Sequence, residues 1–394
     1  MAYNRKQRLN DNIKAIETAF ILDREQRTPT ARERLLLERY CGFGGLKCIL
    51  NPARELADAV HWAKSDLELF APTVELHRLI RENSKNESEY KQLMDSLKQS
   101  VLTAFYTPSA VTEALTDVLK EHQVIPEKVL EPSAGIGAFV DSVLDNNPKA
   151  DIMAFEKDLL TGKILHHLHP EQKVRIEGFE KIEKPFNDYF DLAISNIPFG
   201  DVAVFDPSYT AMKGMRALVT RRIHNYFFVK ALDTVRDGGL VAFITSQGVL
   251  NAKNNSAARF MMLYHADLVS AIRLPNNLFT ENANTEVGSD LIILQKNTQK
   301  ESLRGDDNLL DTVYNDENRI PTNNYFLEHP ERIIHTTAKL DTDPFGKPAM
   351  IYTHEDGVEG IAEDLRKMLH EDFKKNLNLN RYLGIEETKA EEVK

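Results

Sequence analysis

Between residues 128 and 295, short apolar runs alternate with longer segments, and no other feature of the sequence constrains the fold as strongly. Each run has the length of a strand and most are separated by helix-length segments. The runs are Lys128–Ser133, Asp151–Glu156, Val174–Glu177, Asp191–Ser195, Leu240–Thr245, Leu268–Pro275 and Ser289–Gln295. Strands that alternate with helices form a mostly parallel sheet covered by helices, so the sequence predicts an α/β fold.

The spacing of these runs also predicts how the sheet ends. No helix-length segment separates Leu268–Pro275 from Ser289–Gln295, so these two strands are expected to pair as an antiparallel hairpin. The helix over Thr220–Val235 is expected to stop at Asp237–Gly239, because glycine commonly ends helices. The prediction is a seven-stranded, mostly parallel sheet whose sixth and seventh strands are antiparallel.

The rest of the chain divides around this core. Residues 1–100 show apolar residues at helical spacing and are expected to form a helical N-terminal region. Residues 101–300 hold the α/β domain, and residues 301–394 are expected to form a small C-terminal region. The acidic end of that region, Glu386–Lys394, is expected to be disordered.

Composition limits the function classes. The 394 residues carry a formal net charge of −11, which argues against a protein that coats nucleic acid nonspecifically. An enzyme that grips DNA with a local basic patch remains compatible with this charge. No run approaches the ~20 apolar residues of a membrane span, and the polar N-terminus shows no signal peptide. A cytoplasmic protein that contacts no membrane, with Cys41 and Cys48 reduced, is the expectation.

Three histidines raise the question of a metal site. His166, His167 and His169 lie on one predicted helix, where neighbouring positions face different directions. No carboxylate is spaced to complete a ligand set with them. We therefore expect surface histidines and predict no metal site.

Glu131–Phe139 is a glycine turn that follows the first predicted strand. Glycines there let the backbone approach a ligand at the carboxyl edge of a parallel sheet, where doubly wound folds bind cofactors. Glu156 ends the next strand, about 20 residues further on, where a carboxylate can bind both hydroxyls of a ribose. The third glycine of the dinucleotide fingerprint is missing, which disfavours NAD.

Asn196-Ile197-Pro198-Phe199 follows the fourth strand as a rigid turn. Pro198 biases Ile197 towards an extended conformation, so the Asn196 side chain and the Ile197 carbonyl can point the same way. Two acceptors beside an aromatic ring suit a planar group that carries an exocyclic amine. The quartet resembles the Asn-Pro-Pro-Phe/Tyr motif of amino-group methyltransferases that use S-adenosylmethionine.

In their order along the chain, these segments resemble the γ-group of N6-adenine DNA methyltransferases, which includes the modification subunits of type I restriction systems. The segments are Phe105–Pro108, Glu131–Phe139, Phe155–Glu156, Gly178–Glu180, Asn196–Phe199 and the Leu268–Gln295 hairpin. Two flanking stretches, Gly42–Leu46 and Asn324–Pro330, look like parts of methylase–helicase proteins from phages and conjugative elements. The resemblance spans about half of the chain and implies the Rossmann-like fold of S-adenosylmethionine-dependent methyltransferases.

The resemblance also implies a site for S-adenosylmethionine. The residues that match the family's cofactor motifs are Tyr106, Thr107, Pro108, Glu131, Ser133, Gly135, Gly137, Glu156, Phe179 and Glu180. Tyr106, Thr107, Pro108 and Glu131 would hold the methionine end of the cofactor. The backbone around Ser133, Gly135 and Gly137 would pass close beneath it. Glu156 would bind the ribose hydroxyls, and Glu180 or the Phe179 backbone would bind the cofactor's adenine.

The Asn196–Phe199 motif would, by the same resemblance, hold the target base. Asn196 and the Ile197 carbonyl would accept both N6 hydrogens of a flipped-out adenine, and Phe199 would stack on its ring. Catalysis would then be positioning and electrostatics, which needs no metal. Ile197 replaces the first proline of the family's pair, but Pro198 still restricts it, so the carbonyl geometry is expected to survive. The acid of Gly178–Glu180 stands one residue later than in the family's usual pattern.

A cluster of cations after the motif is a candidate for DNA contacts. Lys213, Arg216, Arg221 and Arg222 would lie beside the target pocket, where they suit phosphates, although charges at the start of a helix are an equal alternative. The residues after the hairpin are few and acidic for a recognition domain. Recognition of DNA is therefore expected to be either relaxed or supplied by a partner subunit, and a specificity subunit or a helicase is a candidate partner besides DNA.

The favoured function is a DNA adenine-N6 methyltransferase that could belong to a restriction-modification system. Related Asn-Pro-Pro motifs also act on protein glutamine amides and RNA base amines, so these substrates stay open. A non-catalytic module that binds cofactor or DNA is the third interpretation, supported by Ile197 and the acidic charge.

Overall fold

A sheet of seven strands forms the centre of the protein. The structure, a computed structural model, describes residues 4–103, 106–212, 214–280, 286–303, 307–314, 320–343 and 346–385. The strands are β1 (Lys128–Glu131), β2 (Asp151–Phe155), β3 (Lys173–Arg175), β4 (Phe190–Asn196), β5 (Val235–Ser246), β6 (Ala266–Leu274) and β7 (Ser289–Lys296). They lie in the order β3-β2-β1-β4-β5-β7-β6.

The direction of the strands agrees with the predicted fold class. β1 to β5 pair in parallel, whereas β7 runs antiparallel to both β5 and β6. The seven-stranded, mostly parallel sheet with an antiparallel β6/β7 hairpin is thus confirmed. The chain reverses its strand order between β1 and β4, and α/β sheets bind ligands beside such a switch point.

Helices cover both faces of the sheet. The helices are α1 (Arg5–Glu25), α2 (Ala31–Leu37), α3 (Phe70–Glu82), α4 (Glu87–Thr103), α5 (Ser109–Glu121), α6 (Ala138–Asn146), α7 (Leu159–Leu168), α8 (Pro207–Thr210), α9 (Met215–Val219), α10 (Ile223–Thr234), α11 (Gly248–Asn251), α12 (Ser256–His265), α13 (Asn324–Glu328), α14 (Gly357–Asn376) and α15 (Leu379–Tyr382). One apolar core joins α5, α6 and α14 to one sheet face, and another joins α10 and α12 to the other face. Within the described ranges, no helix is long and apolar enough to cross a membrane.

The predicted helix stop at Asp237–Gly239 is wrong. Helix α10 already ends at Thr234, and Asp237–Gly239 lies within strand β5. Gly238 has φ +74°, and a Cβ there would stand 2.2 Å from the carbonyl oxygen of Arg381. These glycines therefore let the C-terminal chain approach the sheet closely and do not end a helix.

The helices of the N-terminal region share a core with α7 of the α/β domain. Leu160, Ile164 and Leu168 of α7 are buried among apolar side chains of α1 to α4. Polar contacts reinforce this packing, because Asp23 on α1 accepts hydrogen bonds from Lys163 and binds His167 at 2.8 Å. The expectation of surface histidines holds for His166 alone.

His167 and His169 are buried, so the surface assignment is wrong for both. The sequence could not show that α1 and α2 cover this side of α7. Among the described residues, no group of three or more His, Cys, Asp or Glu side chains is arranged to hold a metal ion.

The C-terminal region contributes a helix to the main layer. Helix α14 packs against α5 and β6. Two small hairpins precede it, β8 (Thr312–Tyr314) with β9 (Pro321–Asn323) and β10 (Thr337–Thr342) with β11 (Pro348–Thr353). The tail Glu386–Lys394 lies outside the described residues.

Candidate active site

The two predicted motifs leave neighbouring strands at the same edge of the sheet. The glycine turn follows β1, the Asn196 motif follows β4, and these strands pair in parallel with Leu130 opposite Ala193. The Ser195 hydroxyl donates to the Ser133 carbonyl at 3.5 Å, which links the two loops directly. The glycine turn after β1 and the Asn196 motif after β4 are therefore neighbours at this edge.

The glycine turn has the open backbone that the sequence predicts. Gly135 and Gly137 have φ values of +58° and +97°, in the region that favours glycine. A Cβ on Gly135 would stand 2.8 Å from the ring of Tyr106, and one on Gly137 would stand 2.5 Å from Nε2 of His169. The turn is thus packed between the Tyr106 ring and His169, and Thr107 and Pro108 are buried beside Tyr106.

Glu131 is a buried acid at the end of β1. Only 2% of the residue is exposed, and neither carboxylate oxygen has a partner at ordinary hydrogen-bond geometry among the described residues, although the Ser195 hydroxyl and the Ser133 N–H lie near enough to lower its pKa. Burial raises the pKa of Glu131 to about 8. A buried carboxyl without a partner is costly, and a cationic ligand at this edge would satisfy it. The Thr107 hydroxyl is likewise buried and unpartnered within the described chain.

Glu156 ties the turn to the end of β2. Its Oε2 accepts the Gly135 N–H at 2.8 Å, and its Oε1 accepts the Asp158 N–H at 2.7 Å. Burial and then the nearby Asp158 raise the pKa of Glu156 to about 8. Each oxygen keeps lone-pair capacity beyond these two bonds, so the carboxyl can still accept hydroxyl donors.

Phe179 and Glu180 lie after β3 on the same edge of the sheet. The Phe179 ring is buried among Phe155, Tyr226 and Phe227, so only its backbone is available to a ligand. The Glu180 carboxylate folds back over Gly178, where a Cβ would stand 2.2 Å from Oε2. Lys157 approaches the same carboxylate at 3.9 Å.

The Asn196 motif continues alongside β5. The Ile197 N–H donates to the Ile244 carbonyl at 3.0 Å, and the Ile197 side chain is buried in the core. A proline at this position would lose the hydrogen bond, because it has no N–H, and its smaller ring would fill less of the core. Asn196, Pro198 and Phe199 are half-buried at the edge. The residue that departs from the family motif therefore anchors it.

Phe279 lies beside Phe199 at this edge of the sheet, and none of the sequence motifs includes it. Its ring meets the Phe199 ring edge-on, with 6.3 Å between centroids. Phe279 closes the 3-10 helix Asn276–Phe279, which follows β6 and precedes β7. The only sequence signal is its place just after a strand end, because the contact spans residues far apart in the chain.

The candidate DNA-binding cations differ from one another. Arg216 makes a bidentate ion pair with Asp233 at 2.6 and 2.9 Å, and Arg222 contacts Asp201, Asn254 and Asn255. Arg221 is exposed, and Lys213 lies outside the described residues. Arg216 and Arg222 thus have structural contacts that the sequence did not reveal.

Asp158 was also missed by the sequence analysis. It caps α7 by accepting the Thr161 N–H at 2.7 Å and receives the Ser96 hydroxyl of α4 at 2.6 Å. This contact connects the helical N-terminal region to the loop that holds Glu156. Aspartate before a predicted helix was the available signal.

Comparison with known proteins gives a family for most of this chain. The model of the family described as N-6 DNA Methylase matches residues 88–391. The matched range includes every strand of the sheet and all residues proposed for the cofactor and the target base.

Two curated proteins show similarity over part of their length. Defense against restriction protein B of Escherichia phage P1 is 29% identical over 201 residues, which are 50% of this chain and 8% of that protein. Type II methyltransferase M.XamI of Xanthomonas campestris pv. amaranthicola is 24% identical over 173 residues, 41% of this chain and 33% of that protein. The chain thus spans at most a third of these relatives.

A solved structure also resembles the fold. The type I restriction-modification system methyltransferase subunit from Streptococcus thermophilus aligns with a TM-score of 0.42 and 13% identity. The alignment covers 75% of this chain and 80% of that subunit.

Proposed function

Since the chain belongs to the N-6 DNA Methylase family, we propose that it transfers a methyl group from S-adenosylmethionine to the N6 amine of adenine in DNA. One observation carries the proposal. The glycine turn with the unpartnered Glu131 and the Asn196 motif leave the paired strands β1 and β4 at one edge. A methyl donor and an acceptor amine bound by these two loops would be neighbours.

The residues of the turn fit S-adenosylmethionine. Its methionine end carries positive charge, which complements the buried Glu131 carboxyl, and the Tyr106–Pro108 segment encloses the same place. Glu156 can accept ribose hydroxyls while it holds the Gly135 N–H. When bound, the cofactor supplies a methyl group already activated on a sulfonium, so the protein needs no metal or covalent nucleophile for transfer.

The task left to the protein is to prepare a poor nucleophile. The lone pair of an adenine N6 amine is delocalised into the ring. The Asn196 side-chain oxygen and the Ile197 carbonyl would accept both N6 hydrogens, which favours a tetrahedral nitrogen and aims its lone pair. Phe199 would stack on the base, which must leave the duplex to reach this edge.

DNA is the proposed macromolecular substrate, with Lys213, Arg216, Arg221 and Arg222 near its phosphates. Arg221 is exposed and can take this role without losing a structural contact to the described residues, whereas Arg216 first stabilises the fold through Asp233. A specificity subunit or a helicase is the proposed protein partner, because the acidic C-terminal region offers little for sequence recognition. A cytoplasmic location is proposed with this function.

Methyl transfer from radiolabelled S-adenosylmethionine tests the proposal. The purified chain is incubated with unmethylated DNA, total RNA and a mixture of proteins, and the DNA is digested for mass spectrometry of its nucleosides. We expect label in DNA as N6-methyladenine. Label confined to RNA or to protein glutamine would replace the substrate, and cofactor binding without transfer to any of them would favour a non-catalytic module.

A further inference from the structure

A closed series of contacts links the ends of β4, β5 and β7 beside the target motif. Just after β4, the Ile197 N–H donates to the carbonyl of Ile244 on β5, and the Phe199 ring meets the Phe279 ring. Phe279 belongs to the 3-10 helix Asn276–Phe279, and the Asn276 carbonyl accepts the Val287 N–H at 3.1 Å. Val287 leads directly into β7, so the edge of the sheet beyond Phe199 is built from β7 as well.

Gln247 and Gly288 close the series. The Gln247 N–H, just after β5, donates to the Gly288 carbonyl at 3.3 Å. A Cβ on Gly288 would stand 2.5 to 2.7 Å from Cδ, Oε1 and Nε2 of Gln247. The amide of Gln247 therefore occupies the space that only a glycine at position 288 leaves open.

The polar atoms of this segment include buried groups without partners. Nε2 of Gln247 is buried and has no acceptor among the described residues, and the hydroxyls of Thr280 and Ser289 are buried and unpartnered in the same sense. Buried polar groups are almost always hydrogen-bonded in folded proteins, so several unpartnered ones together indicate a missing ligand. Glu131 and Thr107 form the corresponding set on the cofactor side.

We propose that Gln247 determines which base enters the site, by donating a hydrogen bond from Nε2 to an unprotonated ring nitrogen of the flipped base. This inference rests on the proposed function. The Watson–Crick edges of adenine and cytosine carry an acceptor nitrogen next to the exocyclic amine. Guanine and thymine carry an N–H at the corresponding ring position, which a second donor would oppose.

The three groups together complement the edge of adenine. Asn196 and the Ile197 carbonyl accept the amine hydrogens, and Gln247 donates to N1. A site that pairs every polar group of its substrate rejects analogues that leave one group unpaired. Gln247 thereby adds recognition of the ring to the recognition of the amine.

The test compares Q247L with the wild-type protein and with Q299L, a matched change at an exposed glutamine. The positions that the wild type methylates are first mapped in unmethylated DNA. Oligonucleotide duplexes are then made that carry either adenine or 1-deazaadenine at one of these positions. We expect Q247L to lower kcat/KM on adenine about tenfold, the factor that one neutral hydrogen bond supplies. Cofactor affinity and melting temperature should match those of Q299L.

The analogue separates recognition from a structural role. Replacing adenine by 1-deazaadenine removes the N1 acceptor and should lower kcat/KM of the wild type by a factor about ten times larger than that for Q247L. The reason is that Q247L has already lost the hydrogen bond to N1. G288A should behave like Q247L, since its Cβ displaces the amide.

Equal losses in the wild type and Q247L would overturn the inference, as would full activity of Q247L or a loss specific to S289A. All of these outcomes leave methyl transfer by the wild type intact. Absence of transfer by the wild type would instead refute the proposed function.

Discussion

The candidate site has a proposed cofactor half around Glu131 and Glu156 and a proposed target half around Asn196 and Phe199, and the two halves differ in how enclosed they are. On the cofactor side, Glu131 and Glu156 are acids with pKa values raised to about 8 by burial, and α7 behind them is packed against the N-terminal helices. On the target side, the segment after Phe199 is open, with Val202 and Phe205 exposed to 61% and 78%. Enclosed acids suit a small cationic ligand, which favours their ionised form, whereas an open edge suits a large polymer.

The difference explains how the two halves depend on the rest of the chain. The Glu156 loop is braced from the N-terminal region, because Ser96 donates to Asp158 and Asp158 donates its N–H to Glu156. The target motif is braced by the sheet, through Ile197 and Ile244, and by the contact between the Phe199 and Phe279 rings. Substitutions in the cofactor half should therefore change cofactor affinity, whereas substitutions in the target half should change the rate of methyl transfer.

The largest effect is expected from Asn196→Ala. Removing one of the two acceptors leaves the amine poorly aimed, and loss of one such polar group typically costs ~10²–10³-fold in kcat. Cofactor affinity should stay within about twofold, because Asn196 belongs to the other half. Single-turnover transfer and equilibrium cofactor binding measure the two quantities. Equal loss of both would abolish the distinction between the halves.

Glu131→Gln should act on the cofactor and leave the target half intact. A cation favours the ionised carboxylate, so cofactor affinity should rise with pH up to about 8 and level off above it. The glutamine variant should lose ~2 kcal/mol of cofactor-binding free energy. Its cofactor affinity should also depend less on pH, and the remaining dependence should come from Glu156. Calorimetric titration between pH 6 and pH 9 measures both.

The same variant reports on stability without any ligand. The pKa of Glu131 is about 8 in the folded chain, so the carboxyl keeps its proton up to that pH, whereas the unfolded chain releases it near the ordinary pKa of 4.5. The folded state then binds more protons, so the free energy of unfolding should fall as pH rises from about 4.5 to 8. Glu131→Gln should reduce this fall. The same pH dependence of stability in the wild type and in Glu131→Gln would contradict the burial of the carboxyl.

Ile197→Pro restores the family's usual residue and should still destabilise this chain. It removes the N–H bonded to Ile244 and replaces a side chain of which 1% is exposed. We expect a loss of ~1–3 kcal/mol in the free energy of unfolding, measured by urea denaturation. Ile197→Val, which keeps the N–H, serves as the control and should lose less than the proline variant.

Arg216 and Arg221 should give the smallest and most contrasting effects. Arg216→Ala breaks the pair with Asp233 and should cost ~1–2 kcal/mol of stability. Arg221→Ala should leave stability unchanged and weaken DNA binding, lowering the slope of log K against log salt by about 1. Thermal denaturation and binding across a salt series separate the two. Equal effects of both variants on stability and on DNA binding would contradict the different roles given to Arg216 and Arg221.

Most of the α/β core was predictable because its signal is local. Apolar runs of strand length, glycines after the first strand and an acid at the end of the second are all visible along the chain, and each occurs where it was expected. The antiparallel β6/β7 pair followed from the short spacer between its strands. The domain boundaries and the roles of the site residues stay predictions.

The errors arose where distant segments meet. Asp237–Gly239 has the composition of a helix stop, yet α15 approaches the strand there and needs Gly238. His167 and His169 have the polarity of surface residues, yet α1, α2 and the glycine turn cover them. Arg216 belongs to a basic segment, yet Asp233 neutralises it.

The sequence by itself determined the sheet, the glycine turn and the order of the motifs, because strand periodicity and turn chemistry act over a few residues. Only the tertiary structure decided which groups lie buried without partners, because burial depends on segments far apart in the chain. The sequence placed Glu131 in a motif but did not show its burial, and it did not single out Gln247. Packing from β4, β7 and the N-terminal helices gives this edge its two faces, one with enclosed acids and one with exposed apolar side chains.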